Sequence, residues 1–216
     1  VETKYITGIK HTSLIFMYDP LLRWALRETA IKRQLIEQAQ IEKGHRVLDL
    51  GCGPATLTLL IRRAHPEADV IGFDGAQKAI DLARAKAAKA ALKVTLDHVR
   101  SFDLPYPDDS FDRVVSSLVF HHWTRENKAR TLKEAFRVLR PGGELHVTDW
   151  GEPQNTLMRV AVLSVQLLDG FKSTTDNVNG VLPKLFGDAG FEEVQESARY
   201  MTPFGTLSLY RACKRG

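Results

Sequence analysis

The sequence predicts an α/β fold in which short apolar strands alternate with helices, and three stretches carry that prediction. The first is Val47-Leu48-Asp49-Leu50-Gly51-Cys52-Gly53-Pro54, a strand running into a tight turn with two glycines and then a helix. The second is Val70-Ile71-Gly72-Phe73-Asp74, another apolar strand closing on an acid. The third is Arg113–Leu118, a β-branched strand followed by a helix, by Pro141-Gly142-Gly143 and by a further strand. Strands separated by helices of this length are built as βαβ units around a parallel sheet.

In chain order, residues 1–19 carry no regular pattern. Asp19-Pro20 then opens a helix, with Asp as the N-cap and Pro at the first helical position. It runs to about Gln40, with Leu21, Leu22, Ala25, Leu26, Ile36 and Ala39 opposite Arg23, Arg27, Gln34 and Gln38, and Lys32 interrupts the stripe. This helix reads as a lid packed on the sheet, with a basic face resting on a membrane as the other reading. After the glycine turn, helix 54–64 ends near His65-Pro66. An alanine-rich helix over 76–91 precedes a third strand at Lys93–Val99. Thr124 caps a helix through Leu139, and the Pro141–Gly143 turn leads into strand Glu144–Asp149. An apolar helix from Asn155 to Leu168 interrupts the alternation. Gly170 and the polar Ser173-Thr174-Thr175-Asp176-Asn177 follow as an insertion of the length that usually serves function. A helix over Val178–Ala189 ends at Gly190, and Val194–Met201 and Thr206–Cys213 alternate around Pro203-Phe204-Gly205 as a hairpin.

The 216 residues, 44% of them hydrophobic, suffice for one domain with a full core. Within it we distinguish an N-terminal lid at 1–44, a binding core at 45–150, a substrate-side insertion at 151–190 and a terminal hairpin at 191–216. No run of about eighteen apolar residues is present, so no membrane span is expected. The first residues show neither a basic nor an apolar leader pattern. Cys52 and Cys213 have neither disulfide nor metal spacing, which fits a reducing cytoplasm. A formal charge of +4 without any long Lys/Arg block makes nucleic acid an unlikely partner.

Gly51 and Gly53 give the turn backbone freedom and let a ligand approach the main chain closely. A Gly-x-Gly alone also suits dinucleotide-binding enzymes. Asp49 separates the two readings: at the strand end it would repel a pyrophosphate, yet it suits a ligand carrying an amino group or a sulfonium. The third glycine of the dinucleotide fingerprint is replaced by Thr56. Asp74, about twenty residues further on, is placed to accept both hydroxyls of a ribose.

With Arg137-Val138-Leu139-Arg140-Pro141-Gly142-Gly143-Glu144-Leu145-His146-Val147, these motifs resemble the class I S-adenosylmethionine-dependent methyltransferases, and among them the ubiquinone and menaquinone biosynthesis group. The resemblance covers about residues 45–150 with specific motifs. It implies a Rossmann-like, mostly parallel seven-stranded sheet with helices on both faces and one antiparallel member in the C-terminal hairpin. It also implies S-adenosylmethionine as cofactor, with Asp49, Gly51, Gly53, Asp74, Gly75, Ser101 and Phe102 around it and Tyr18 near its methionine end. The acid that usually receives the adenine amine aligns with Arg100, a donor-only side chain, so a backbone carbonyl, Ser101 or water must take that role. His121 and His122 follow the fourth strand, where ligands of open α/β sheets bind, and His121 is the candidate base or positioning group.

Methyl transfer from a sulfonium is an in-line displacement that needs no metal, and no His/Asp/Glu ligand spacing stands out in the sequence. Ser117-Leu118-Val119-Phe120 stands where amide and adenine methyltransferases carry an Asn-Pro-Pro-Tyr-like motif. The expected acceptor is therefore small or lipid-like. RNA or protein methylation, a non-catalytic cofactor-binding module and a nicotinamide dehydrogenase are the rivals. Acceptor choice is expected to reside in Tyr18, the His121-His122 loop and the insertion from Asn155 to Thr175.

Overall fold

A computed structural model describes residues 28–99 and 102–216. The predicted helix start at Asp19-Pro20, and Tyr18, Arg100 and Ser101, lie outside the described residues. The elements run α1 (Glu28–Gln38), β1 (Arg46–Leu50), α2 (Thr56–Ala64), β2 (Asp69–Asp74), α3 (Gln77–Lys89), β3 (Thr95–His98) and β4 (Phe111–Ser117). A 3-10 turn (Phe120–His122) leads to α4 (Arg125–Val138) and β5 (Leu139–Trp150). Then come α5 (Thr156–Asp169), α6 (Phe171–Val178), α7 (Leu182–Asp188), β6 (Glu192–Thr202) and β7 (Gly205–Cys213).

The strands form one seven-stranded sheet in the order β3-β2-β1-β4-β5-β7-β6. β1 to β5 pair in parallel, and β7 is antiparallel to both β5 and β6. The order reverses between β1 and β4, which opens a crevice at the carboxyl ends of the strands. Alternation along β1 supplies both faces: Leu48 and Leu50 join α4 and α7 residues such as Leu132, Val138 and Phe186, whereas Val47 packs with Leu35 and Ile36 of α1 and Leu57 and Ile61 of α2. In α1, Ile31, Leu35 and Ile36 are buried, and so is Lys32, the residue that interrupts the stripe.

Three expectations change. The polar stretch at Ser173–Asn177, expected only as part of an insertion following the apolar helix, is the body of α6. Its hydroxyls fold back on the helix: Thr174 Oγ1 donates to Gly170 O at 2.8 Å and Thr175 Oγ1 to Phe171 O at 2.5 Å. Val178 closes that helix, and α7 begins only after a turn holding Gly180 at φ +67°. β5 starts at Leu139, because the Pro141–Gly143 segment stays paired to the chain's end: Gly142 N donates to Lys214 O at 2.7 Å and Lys214 N to Gly143 O at 2.9 Å.

Candidate active site

Two acids lie at the ends of neighbouring strands. Asp49 is 1% exposed on the α1/α2 side of β1, where Thr58 Oγ1 donates to its Oδ2 at 2.6 Å. Burial pushes its carboxyl up to about 6, against the Thr58 hydrogen bond and the charge of Lys32. Asp74 closes β2 half-buried. Its Oδ2 accepts Gly53 N–H at 2.9 Å and its Oδ1 accepts Ala76 N–H at 2.8 Å. Burial raises this carboxyl too, opposed by those two N–H groups. Each oxygen keeps a further lone pair for a hydroxyl donor.

The glycine turn is built for close approach. Gly51 has φ +72°, and a Cβ there would lie 2.6 Å from the Val119 side chain; Gly53 has φ +53° and nothing within 4 Å of the place a Cβ would occupy. The space beside Asp74 at this turn is therefore open. Gly75 is buried, its carbonyl 3.1 Å from His98 Nε2. Phe102 is also buried, its ring edge-on to Trp123 at 5.8 Å within the main core.

At the carboxyl ends of β4 and β5 lies a second constellation. Asp149 is fully buried and gathers donors from three elements. Its Oδ2 accepts Val119 N–H at 3.0 Å and Phe120 N–H at 2.7 Å. Its Oδ1 accepts Trp150 N–H at 2.8 Å and Asn177 Nδ2 at 3.1 Å, and lies 2.7 Å from His121 Nδ1. Burial works to raise this carboxyl, but the His121 ring and the backbone donors outweigh it and hold it below the ordinary range. An ionised carboxylate only accepts, so the His121 Nδ1 that faces it carries a proton, which leaves Nε2 as the ring atom turned to the rest of the site. Nε2 faces Asp169 Oδ2 at 3.7 Å, and His122 Nδ1 lies 3.8 Å from Asp169 Oδ1. Burial, with His121 beside it, lowers His122 to about 3 and keeps it neutral.

The fold thus brings together a possible ligand set that the linear spacing hides: one ligand atom each from His121, His122 and Asp169, all within 4.8 Å of one another. Sequence reading also missed Asp149 as the group that orients His121, Asn177 as its partner, and buried Lys128. Lys128 Nζ donates to Ser173 O at 2.6 Å and lies 3.6 Å from Asp176, which Arg125 also binds, so α6 is pinned beneath the histidine turn. The available signal was the register of Lys128 with Leu132 and Ala135 on one face of the predicted helix. Of the expected acceptor-side residues in 155–175, Asp169 meets the histidines, while Met158, Val162 and Val165 are buried, Val162 and Val165 in a cluster with Ile31 and Trp150.

A doubly wound sheet with acids at the carboxyl ends of β1 and β2 and a glycine turn between them is the architecture of the Rossmann-like α/β class. The comparisons give the kind. A methyltransferase-domain family matches residues 47–143. A demethylmenaquinone methyltransferase of Symbiobacterium thermophilum is 33% identical, the alignment covering 85% of this chain and 81% of that protein. The ubiquinone/menaquinone biosynthesis C-methyltransferase UbiE of Pasteurella multocida is 28% identical over 85% of this chain and 74% of its own. Among solved structures, YcgJ from Bacillus subtilis matches with a TM-score of 0.69 at 18% identity, covering 86% of this chain and 98% of that one. The chain belongs to the S-adenosylmethionine-dependent methyltransferases, in the ubiquinone/menaquinone group.

Proposed function

We propose that this methyltransferase acts from the cytoplasm on a small, lipid-like acceptor of the quinone kind for which its relatives are named, taken in its reduced, hydroxyl-bearing form, and not on nucleic acid. The observation that supports this reading is the His121–Asp149 pair set against the largely apolar helix α5. When bound, S-adenosylmethionine supplies a methyl group already activated by its sulfonium. Asp49 is suited to its ammonium group and Asp74 to its ribose hydroxyls. Gly53 leaves room for it, and Gly51, Gly75, Phe102, Ser101 and Tyr18 complete the expected shell. Alignment of acceptor and methyl can supply about 7–11 kcal/mol in well-oriented reactions. His121 Nε2 takes the proton of an acceptor hydroxyl, and Asp149 stabilises the imidazolium that forms. Ligand pockets are mostly apolar with few orienting groups, and Gln166, 7% exposed, and Asp169 are the polar groups α5 turns inward.

The test is turnover with S-adenosylmethionine and a short-chain demethylmenaquinol, read as S-adenosylhomocysteine release and as a methyl added to the acceptor mass. Panels of RNA and protein run alongside. Methylation of RNA or protein in place of the quinol would overturn the reading. The chemistry as written needs no metal, so a chelator should leave the rate unchanged. Loss of activity with chelator and its return with a divalent ion would assign the His121-His122-Asp169 cluster to catalysis.

A further inference from the structure

Large apolar side chains left exposed are concentrated in one place. Leu157, Val160, Leu163, Leu167 and Leu168 of α5 and Phe171 of α6 are between 43% and 82% exposed. Met201 at the end of β6 is 63% exposed and sits beside them, its sulfur 3.6 Å from Asn155 at the N-cap of α5. Among the described residues, Leu82 is the one large exposed hydrophobic elsewhere. A contiguous apolar face of this kind marks an interaction site.

The same helix is apolar on its other side, where Met158, Val162 and Val165 are buried, so α5 is a wall between the histidine site and the outside. Its outer face is flanked by two exposed cations, Arg159 and Lys172, and neither makes an ion pair with a described residue. The acids of the same hairpin are turned away: Asp169 faces the two histidines, and Asp176 is buried on Arg125 and Lys128. Apolar residues at the centre with cations at the edges and acids withdrawn match a helix lying in the interface of an anionic bilayer. By contrast, the described part of α1 turns Ile31, Leu35 and Ile36 inward and exposes Thr29, Ala30, Arg33, Gln34 and Glu37, which offers lipid no apolar surface.

We propose that the outer face of α5 with the first turn of α6 docks on an anionic lipid surface, so that a membrane-dissolved acceptor enters beside Asp169. This rests on the lipid-like acceptor proposed above. The full chain is sedimented with vesicles of phosphatidylcholine alone or of equimolar phosphatidylcholine and phosphatidylglycerol. Wild type should bind the anionic vesicles, the double variant Leu167→Glu/Leu168→Glu should lose at least tenfold in partitioning, and Arg159→Glu/Lys172→Glu should lose several-fold at low salt and little at high salt. The substituted side chains are exposed, and circular dichroism checks that the variants fold. Turnover of the short-chain acceptor in solution is measured on the same samples. Wild-type protein that methylates the acceptor but ignores vesicles overturns docking and leaves the function standing; binding without any turnover does the reverse. A dimer in light scattering that Leu167→Glu/Leu168→Glu converts to monomers assigns the face to a second copy. Protection of a Leu168→Cys thiol from a maleimide in lipid-free, monomeric Cys213→Ser protein assigns it to residues 1–27. Either result also overturns the proposal.

Discussion

Burial lifts the Asp49 carboxyl to about 6, above its ordinary value of 3.8, because the folded chain holds it out of water. Between about pH 4 and pH 6 the folded protein therefore binds more protons than the unfolded chain, and stability falls as pH rises through that window and stays lost above it. Asn at this position keeps an acceptor for Thr58 and removes the charge. Asp49→Asn should stabilise the fold near neutral pH by up to about 3 kcal/mol and flatten that pH dependence, while cofactor affinity collapses. Denaturant unfolding across the range checks the first and calorimetry the second; equal stability of the two proteins at neutral pH would contradict the account. Asp74 is the complementary case. Asp74→Ala should weaken cofactor binding by about 1.5–3 kcal/mol, since charge-assisted bonds to hydroxyls are lost, and a folded variant that titrates like wild type would remove Asp74 from the site. Both acids stand out in the sequence as candidates because each lies at or next to the end of an apolar strand. Lys32 and Asp149 do not: Lys32 looks like a flaw in a stripe, and His121, the partner of Asp149, is 28 positions away in the chain; Asp169 falls within the expected acceptor-side insertion, but its approach to His121, 48 positions away, is visible only in the fold.

At the scale of elements, the strands were read well along the chain because short apolar runs bounded by turn signals are local, whereas the seven-stranded sheet with its antiparallel hairpin was what the family resemblance implied. Helix α6 was not legible, because Ser, Thr, Asp and Asn disfavour helix interiors when judged by propensity alone. Here tertiary partners override that preference, with Asn177 donating to Asp149 and Asp176 held by Arg125 and Lys128. α5 is better marked: Asn155 caps it, its side chain accepting Met158 N–H at 3.0 Å, and the helix delivers Asp169 to the histidines from its last turn. If α5 governs the acceptor, substitutions at its inward polar positions must separate the two substrates kinetically. Gln166→Ala and Asp169→Asn should raise acceptor KM or change acceptor preference severalfold, while cofactor affinity by calorimetry stays within about twofold. Unchanged acceptor kinetics in both folded variants would place the acceptor pocket elsewhere.

At the scale of the whole molecule, the chain carries a formal charge of +4, yet the carboxyl edge of its sheet gathers four acids, Asp49, Asp74, Asp149 and Asp169. Asp149 has donors enough to be satisfied internally, whereas burial raises Asp49, Asp74 and Asp169, so the ligand-free fold holds these three less comfortably than water would. A cationic ligand relieves that, and an anionic dinucleotide would aggravate it. Any ligand that binds only the folded state stabilises it by about 2.7 kcal/mol at a hundredfold excess over Kd. For a domain of this size about 1 kcal/mol moves the melting midpoint by about 2–4 °C. S-adenosylmethionine at that excess should therefore raise the midpoint by about 5–11 °C, and NAD at equal concentration should leave it in place. The shift with S-adenosylmethionine should shrink as pH drops below about 6, where Asp49 takes up its proton, and Asp49→Asn should abolish it. Thermal scans with both ligands at two pH values check this. A shift with NAD, or one with S-adenosylmethionine that ignores both pH and Asp49→Asn, would mean that the acid at the end of β1 is not what selects the ligand.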